Sequence, residues 1–377
     1  NRSEVDPFIV MDVMEAARRA EAAGRSIIHM EVGQPGTPAP AAARARLGAV
    51  LDRDPLGYTV ALGLPELRAG IAALYARWYG VDLNPDRVVV TAGSSAAFLL
   101  AFSAFFDAGA RVGVCEPGYP SYRAILKALS LDPVGLPTRA EEGHRLDPAA
   151  LASADVAGAI VASPNNPTGT MLSRDHLAAL IAASGDRAFI SDEIYHGLHY
   201  GERAVSALEI SDDVCVINSF SKYFSMTGWR IGWMVVPEAQ VRTIERLAQN
   251  MFICAPHAAQ VAALGALEAT DELDANRAVY AENRRLLLEG LPQAGFDRIA
   301  PPDGAFYVYA DVSDLVGDGD SRTLAAEILD KAGVAVTPGL DFDPVRGGTT
   351  LRFSYARSTA DIAEGIARLK AFHAARG

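Results

Sequence analysis

Short apolar segments alternate with amphipathic segments through most of the chain. The apolar segments are five or six residues long, rich in β-branched residues and bounded by turn residues, a pattern that predicts buried strands. Seven strands are predicted in this way, at residues 87–91, 111–115, 132–136, 157–162, 187–192, 214–219 and 230–235. Helices are predicted at residues 64–79, 94–106, 119–129 and 173–184, with Ser94 and Ser173 as N-cap residues.

The alternation of strands and helices predicts an α/β fold. Residues 42–268 should form a large domain with a mostly parallel, roughly seven-stranded sheet sandwiched by helices. The two chain ends differ, because they carry a helix near residues 10–23 and, after residue 268, helices mixed with two strand segments at 306–310 and 349–354. We expect residues 1–41 and 269–377 to form one smaller α+β domain. Ligands of such sheets bind beyond the carboxyl ends of the strands.

Composition narrows the kinds of partner. The 377 residues carry a formal net charge of −12, which argues against a nucleic-acid partner and against an anionic membrane surface. The longest apolar-rich run, at residues 96–106, is too short to span a bilayer. Three scattered cysteines indicate a reducing compartment, so we expect a cytoplasmic protein. The seven histidines form no ligand-spaced cluster, and no metal is predicted.

The strongest chemical signal follows the strand predicted at 214–219. Ser219, Ser221 and Lys222 stand where that strand ends, and Arg230 follows close behind. A lysine whose amine is deprotonated by its surroundings can form a Schiff base. Serines, a lysine and an arginine gathered at one sheet edge form an acceptor site of the size of a phosphate. Taken alone, Lys222 would be interpreted as a solvated surface lysine.

Three other strand ends carry candidate residues. The Gly93-Ser94-Ser95 turn between a strand and a helix would favour an anion, although an ordinary turn with a serine cap explains it better when it is taken alone. Asn166 lies in an Asn-Pro turn after the strand at 157–162. Asp192 could cap the sheet edge or keep a pyridine nitrogen protonated. The glycine fingerprint of dinucleotide-binding proteins is missing, which argues against a nicotinamide dehydrogenase.

In this order, these segments resemble the class I/II aminotransferases of the fold-type-I pyridoxal-phosphate family. The resemblance covers essentially the whole chain. Its most specific parts are SFSK at residues 219–222 followed by GWRIG at 228–232, and NPTG at 166–169 followed by DEIY at 192–195. It implies an aminotransferase that uses pyridoxal 5'-phosphate and moves an amino group from an L-amino acid to a 2-oxo acid by a ping-pong mechanism.

The resemblance also implies roles for individual residues around the cofactor ring. Lys222 matches the lysine that forms the Schiff base and shuttles the proton. Asp192 matches the carboxylate that pairs with the pyridine nitrogen, and Tyr119 matches the aromatic residue stacked on the ring. Asn166 and Tyr195 match the groups that bond to the ring's phenolic oxygen.

Further matches concern the phosphate, the substrate and the assembly. The implied phosphate ligands are Ser219, Arg230, Gly93, Ser94 and Ser95. Tyr58 matches a residue that reaches the phosphate of a neighbouring subunit, so a homodimer is implied. Arg352 matches the arginine that holds the substrate's α-carboxylate, for which a planar guanidinium is well suited. Gly33 matches a flexible loop that closes over the substrate, and Asn166 is also expected to contact the substrate.

The amino-acid donor and the reaction type remain open at this point. Ser95 stands where one aspartate-specific bacterial subgroup has a lysine, which weakens an aspartate-specific interpretation. The apolar segment at residues 7–11 could cover a neutral or hydrophobic donor, or simply pack the small domain. A carbon–sulfur β-lyase would use nearly the same site. A non-catalytic cofactor-binding regulator is a more remote alternative, since no DNA-binding domain precedes the first predicted helix.

Overall fold

A computed structural model describes residues 2–376, so residues 1 and 377 of the predicted small domain lie outside the described part. The α-helices are α1 (Ile9–Ala22), α2 (Ala41–Gly48), α3 (Pro65–Tyr79), α4 (Gly93–Phe105), α5 (Pro120–Ala128), α6 (Pro148–Ser153), α7 (Arg174–Ser184), α8 (Val241–Met251), α9 (His257–Ala266), α10 (Thr270–Gln293), α11 (Ser321–Ala332) and α12 (Thr359–Ala374). The strands are β1 (Ile28–His29), β2 (Val88–Thr91), β3 (Arg111–Glu116), β4 (Asp132–Pro137), β5 (Gly158–Ala162), β6 (Ala188–Asp192), β7 (Cys215–Ser219), β8 (Gly232–Val235), β9 (Arg298–Ile299), β10 (Tyr307–Asp311), β11 (Val334–Ala335), β12 (Thr337–Pro338) and β13 (Thr350–Ser354).

A seven-stranded sheet, in the order β2-β8-β7-β6-β5-β3-β4, forms the centre of the molecule. Strand β8 runs antiparallel to both of its neighbours, and the other pairings are parallel. Successive apolar residues of β2 enter different cores, since Val88 and Val90 pack on one face of the sheet and Val89 on the other. Both faces are therefore covered, as the continuous apolar runs predicted, and the α/β fold class is confirmed.

Two local expectations need correction. The last predicted strand begins at Gly232 rather than at residue 230, because Arg230 has a left-handed backbone with φ of 53° and ends a turn. Helix α4 begins at Gly93 with Ala92 as its N-cap, so Ser94 lies in the first turn and is not the cap. Ser173 does cap α7, since its hydroxyl accepts a hydrogen bond from the His176 amide.

The remaining strands form two small sheets. Strands β12, β13, β10 and β9 form an antiparallel sheet, and β1 pairs in parallel with β11. The pairing of β1 with β11 joins the beginning of the chain to its last third, although the exact division at residues 42–268 stays a prediction. Within residues 2–376 we find no helix of the length and apolar character needed to cross a membrane.

Residues 30–36 form a strap that ties the two chain ends together. Met30 donates to the Ala335 carbonyl at 2.9 Å and accepts from the Ser354 amide at 2.7 Å. The Gly36 amide donates to the Ala356 carbonyl at 2.9 Å. Because both ends of the strap are fixed by backbone hydrogen bonds, Gly33 at its middle has a defined position.

A buried carboxylate stabilises the entry to this strap. The Glu31 side chain is almost fully buried, and its Oε1 lies 2.7 Å from Nδ1 of His29. The other ring nitrogen of His29 lies 3.0 Å from Glu21 on α1. The hydrogen bond to Glu31 raises the pKa of His29 to about 9, against the effect of partial burial, so the imidazole is a cation at neutral pH. A buried carboxylate without such a partner would be costly.

We expect this pair to make stability depend on pH in the alkaline range. The raised pKa means that the stabilisation is complete below the ordinary histidine pKa of about 6.5 and is lost as the pH rises through about 9. The difference in thermal midpoint between the wild type and His29→Gln should therefore shrink from pH 7 to pH 10. Glu21→Gln, which removes the exposed partner, should have a smaller effect. A constant difference across this range would contradict the role of the ion pair.

Candidate functional site

The carboxyl ends of the central strands collect most of the predicted residues at one edge of the sheet. Strands β2, β6 and β7 end at Thr91, Asp192 and Ser219, and Asn166 follows the end of β5. Because β8 is antiparallel, its beginning lies at this same edge and brings Arg230 there. The parallel strands do not bring an arginine to this edge, and the reversed strand β8 does.

Lys222 lies three residues beyond β7 and is partly buried. Its Nζ donates to the Gly33 carbonyl at 2.6 Å and lies 5.7 Å from the Tyr195 ring centre. Burial lowers the pKa of Lys222 to about 7, and the positive charges of Arg352 and Arg230 contribute. A large share of the amine is therefore neutral at physiological pH, as a nucleophile or proton acceptor requires.

Asp192 is a buried carboxylate held by two donors. The Tyr122 hydroxyl bonds to Oδ2, and the Ile194 amide donates to Oδ1 at 3.0 Å. Burial nevertheless raises the pKa of Asp192 to about 6, although both hydrogen bonds and the charge of Lys222 oppose this. A cationic group placed against this carboxylate would be stabilised and would lower that pKa. The sequence did not identify Tyr122, because only the fold shows which face of α5 points at β6.

The beginning of α4 and Arg230 converge on one point. Gly93, with φ of 76°, begins the helix, and a Cβ atom there would overlap the Arg230 guanidinium. No side chain caps this helix among the described residues, so the amides of its first turn, which includes Ser94 and Ser95, are open to an anion. Arg230 is exposed and donates to the Thr227 carbonyl at 2.9 Å. These donors together suit a phosphate.

Ser219 adds a hydroxyl to this group. It is buried, its Oγ accepts from the Ser221 amide at 3.0 Å, and it lies 2.8 Å from the Ser221 hydroxyl. The two serines fix the turn between β7 and Lys222. The predicted phosphate ligands are therefore gathered at one place, with the exception of the residue expected from a second chain.

Arg352 reaches the site from β13. Its side chain is buried, Nη1 donates to Asn166 Oδ1 at 2.9 Å, and Nη2 bonds to the Glu31 carbonyl. The guanidinium lies between two rings, 4.3 Å from the centre of Tyr307 and 4.7 Å from that of Phe342. The structure thus places the predicted carboxylate-binding arginine beside Asn166, and the two rings hold its plane.

Tyr307 was not predicted and connects three of the predicted residues. Its hydroxyl lies 2.8 Å from that of Tyr195, and its ring lies against Arg352. A Cβ at Gly33 would overlap the Tyr307 hydroxyl, so glycine is the residue that fits the strap at this point. Its neighbour Phe306 also lies 5.9 Å from the Lys222 amine. The only sequence signal was an apolar strand, which gives no indication of this contact.

Two predicted aromatic residues have different surroundings. Tyr119 is partly buried, and its ring centre lies 5.4 Å from that of Tyr122 and 6.0 Å from that of Phe8. Tyr58 is 82% exposed, and its side chain makes no hydrogen bond within residues 2–376. A single chain therefore brings together the predicted site residues except Tyr58.

The assembled site has more positive than negative charge. Arg352 and Arg230 both act on Lys222, and Asp192 is the carboxylate that opposes them. Such an arrangement can hold one anion at the α4 end and a carboxylate at Arg352, with a neutral amine between them. Within the described residues, we find no group of three or more His, Cys, Asp or Glu side chains placed to hold a metal ion.

Comparison with known proteins gives consistent results. The sequence profile of the family "Aminotransferase class I and II" matches residues 25–369. The valine–pyruvate aminotransferase of Mycobacterium tuberculosis is 47% identical, over 98% of this chain and 96% of that protein. The protein in a crystal structure from Silicibacter pomeroyi is 66% identical to this chain in sequence, and the two structures superpose with a TM-score of 0.95. The match covers 100% of this chain and 99% of that one. The aspartate aminotransferase of Thermus thermophilus with maleate is 30% identical with a TM-score of 0.91, covering 97% of each chain.

The low pKa of Lys222 predicts selective chemical labelling. The chain has four lysines, and the other three are Lys127, Lys331 and Lys370. Reductive methylation with formaldehyde at pH 7 should modify Lys222 first, because an amine of pKa about 7 is unprotonated roughly a thousandfold more often than an ordinary lysine. Arg352→Gln should slow the labelling of Lys222, since it removes a charge that lowers the pKa. Equal labelling of all four lysines, measured by peptide mass spectrometry, would contradict the assignment.

Proposed function

Because this chain belongs to the class I and II aminotransferase family, we propose that it binds pyridoxal 5'-phosphate on Lys222 and transfers the amino group of a neutral L-amino acid to a 2-oxo acid. It is an aminotransferase, and members of the family generally depend on this cofactor. The observation that carries the proposal is the partly neutral amine of Lys222 beside Arg230, Arg352 and Asp192.

The groups around Lys222 fit the cofactor at each of its polar ends. The beginning of α4, Ser219 and Arg230 would bind the phosphate. Asp192, held by Tyr122 and by a backbone amide, would keep the ring nitrogen protonated, which also explains a buried carboxylate with no cation bonded to it. Asn166 and Tyr195 would bond to the phenolic oxygen, and Tyr119 would lie on the ring face.

Lys222 is also the proposed proton carrier. The bound cofactor withdraws electrons from the α-carbon of the amino acid. The Lys222 amine, with a pKa of about 7, could take the α-proton at neutral pH. It would then deliver this proton to the C4′ carbon of the cofactor. The Gly33 carbonyl, 2.6 Å from Nζ, holds the amine near the substrate side of the site. The general base and the covalent anchor are then the same residue.

The substrate end is built around Arg352. Its guanidinium, held flat between Tyr307 and Phe342, would bind the α-carboxylate in a bidentate manner. Asn166 already bonds to one of its nitrogens and would contact the same substrate. The strap residue Gly33 would close this end of the site.

The donor side chain is proposed to be neutral. Phe8 places its ring 6.0 Å from that of Tyr119, and the amides of Ile9 and Val10 donate to the Asp341 carboxylate at 2.9 and 3.2 Å. An apolar segment is thus fixed beside the proposed cofactor ring. Ser95 offers no charge for a second carboxylate. Together with the relative named valine–pyruvate aminotransferase, these features support a small aliphatic donor such as valine, with pyruvate as acceptor.

The proposed active unit is a cytoplasmic homodimer. Large apolar side chains are exposed at Tyr58, Val60, Met251 and Ile253. The segments that carry them are neighbours, because His257 bonds to the Gly57 carbonyl at 2.9 Å and Gln260 bonds to Thr59 at 3.0 Å. An apolar patch of this kind is suited to a second copy of the chain. Tyr58 of each chain would then bond to the phosphate in the other, and the site would need both chains.

The other reactions considered for this site have less support. The similarity to aminotransferases over nearly the full chain favours amino-group transfer over β-elimination. It likewise favours an enzyme over a non-catalytic regulator. Formation of pyruvate and ammonia from a cysteine conjugate, without an added oxo acid, would reveal a lyase.

We expect a donor panel to identify the reaction directly. Protein loaded with pyridoxal phosphate should lose its visible absorption band when valine or alanine is added and regain it with pyruvate, because the two half-reactions are separate. Aspartate should act far more slowly, since Ser95, which stands where an aspartate-specific subgroup has a lysine, carries no charge for a second carboxylate. The measurement is absorbance in single-turnover conditions, and a preference for aspartate would contradict the proposed donor class.

The matched variants are Lys222→Ala and Lys331→Ala. Lys331 is an exposed lysine that pairs with Glu327 at 2.8 Å and serves as the control. Lys331→Ala should behave as the wild type, whereas Lys222→Ala should neither form the band of covalently held cofactor nor transfer amino groups. Turnover at the wild-type rate in Lys222→Ala would show that another group is the base.

A further inference from the structure

A cavity of about 270 Å³ adjoins the segment that carries Lys222. Its lining includes Arg77, Trp78, His199, Arg203, Tyr223 and Arg277. Tyr223 directly follows Lys222 in the chain, but none of the lining residues belongs to the site described above. The lining of this cavity carries three arginines and one carboxylate, Asp274. The cavity is therefore locally positive, although the whole chain has a net charge of −12.

Two hydrogen-bond donors of the cavity have no acceptor within residues 2–376, namely the Arg77 guanidinium and one ring nitrogen of His199. Arg277 donates to Nε2 of His199 at 3.4 Å, so this ring nitrogen must be the acceptor. Because Nε2 accepts, the ring proton of a neutral His199 is on Nδ1. Burial lowers the pKa of His199, and the charges of Arg277 and Arg203 lower it further. That Nδ1 is buried and has no acceptor among the described residues. Arg77 forms no ion pair within the described chain.

Two further features favour an anion. Thr270, the first residue of the 24-residue helix α10, lines the cavity, and the preceding Ala269 provides no side-chain cap. The positive end of the helix dipole therefore adds to the arginines, although Asp271 and Glu272 in the first turn reduce this effect. Asp274 is partly neutralised, since Arg277 lies 3.3 Å from it and the Tyr223 hydroxyl donates to it at 2.9 Å.

The walls of the cavity are aromatic. The ring centres of Trp78 and Tyr223 are 5.3 Å apart in an edge-to-face arrangement, and Tyr79 lies under the Arg203 guanidinium at 5.1 Å. Arg203 is held in place by Glu209, with bonds of 2.7 and 3.0 Å. Arg77 has no ion-pair partner within residues 2–376, and Arg277 has only long contacts, at 3.3 Å to Asp274 and 3.4 Å to His199. Both guanidinium groups can therefore serve a ligand, beside surfaces on which a flat ring can pack.

We propose that this cavity binds a small phosphate ester that carries a flat ring, at a site separate from the catalytic one. A phosphate dianion offers acceptors only and matches a cavity lined by three arginines and one carboxylate. A volume of about 270 Å³ is just below the usual range for small-molecule sites, so the ligand must be small or extend partly into solvent. Because Tyr223 and Lys222 are consecutive, an occupant would contact the segment that holds the catalytic lysine. This inference does not rest on the identity of the amino-acid donor.

The test is calorimetric titration at constant ionic strength with adenosine 5'-monophosphate as the probe. The protein is first loaded with one equivalent of pyridoxal phosphate per chain and freed of excess. The proposed phosphate site at α4 is then filled, and no free pyridoxal phosphate, itself a phosphate ester with a flat ring, competes with the probe. We expect saturable binding, weaker binding of inorganic phosphate, and no competition by adenosine. The double variant Arg77→Gln/Arg277→Gln should weaken binding about tenfold or more, because charged hydrogen bonds are lost.

The control variant is Arg18→Gln/Arg242→Gln. Both arginines are surface residues paired with glutamates, and the variant removes the same total charge. It should bind the probe as the wild type does. Absence of saturable binding, equal competition by adenosine, or equal weakening in both double variants would overturn the proposal. Unchanged transamination in Arg77→Gln/Arg277→Gln would show that the variant is folded.

Discussion

A surplus of positive charge at one edge of the central sheet is the constraint on which the rest of the site depends. Arg352 and Arg230 both lower the pKa of Lys222, and burial lowers it most. The result is an amine that is partly neutral at pH 7, between two groups that attract anions. A phosphate and a carboxylate would complete the charges of this site, and pyridoxal phosphate together with an amino acid supplies both.

The fold creates this edge by joining distant parts of the chain. Parallel strands bring Asp192 and Ser219 to one side, and the reversed strand β8 adds Arg230. The strap at residues 30–36 then connects the two ends of the chain, since its Glu31 carbonyl accepts from Arg352 and its Gly33 carbonyl accepts from Lys222. The proposed catalytic amine and the proposed carboxylate-binding group are thus positioned by one short segment.

The sequence predicted the elements of the central sheet well, because buried strands have a strong local pattern. The motifs around Lys222 and Asp192 could be found for the same reason, as their residues are neighbours in the chain. Tyr122 and Tyr307 were missed, since their roles depend on contacts with residues 70 and 112 positions away. The prediction of Ser94 as a helix cap was wrong because a glycine with positive φ begins that helix one residue earlier.

The most direct test of the central claim is to map the point of cofactor attachment. The protein would be treated with pyridoxal phosphate, reduced with borohydride and digested, and the modified peptides would be identified by mass spectrometry. The chain has four lysines, so the result is unambiguous. We expect one phosphopyridoxyl group per chain, on Lys222. Modification at Lys127, Lys331 or Lys370 instead, or no stoichiometric modification, would contradict it.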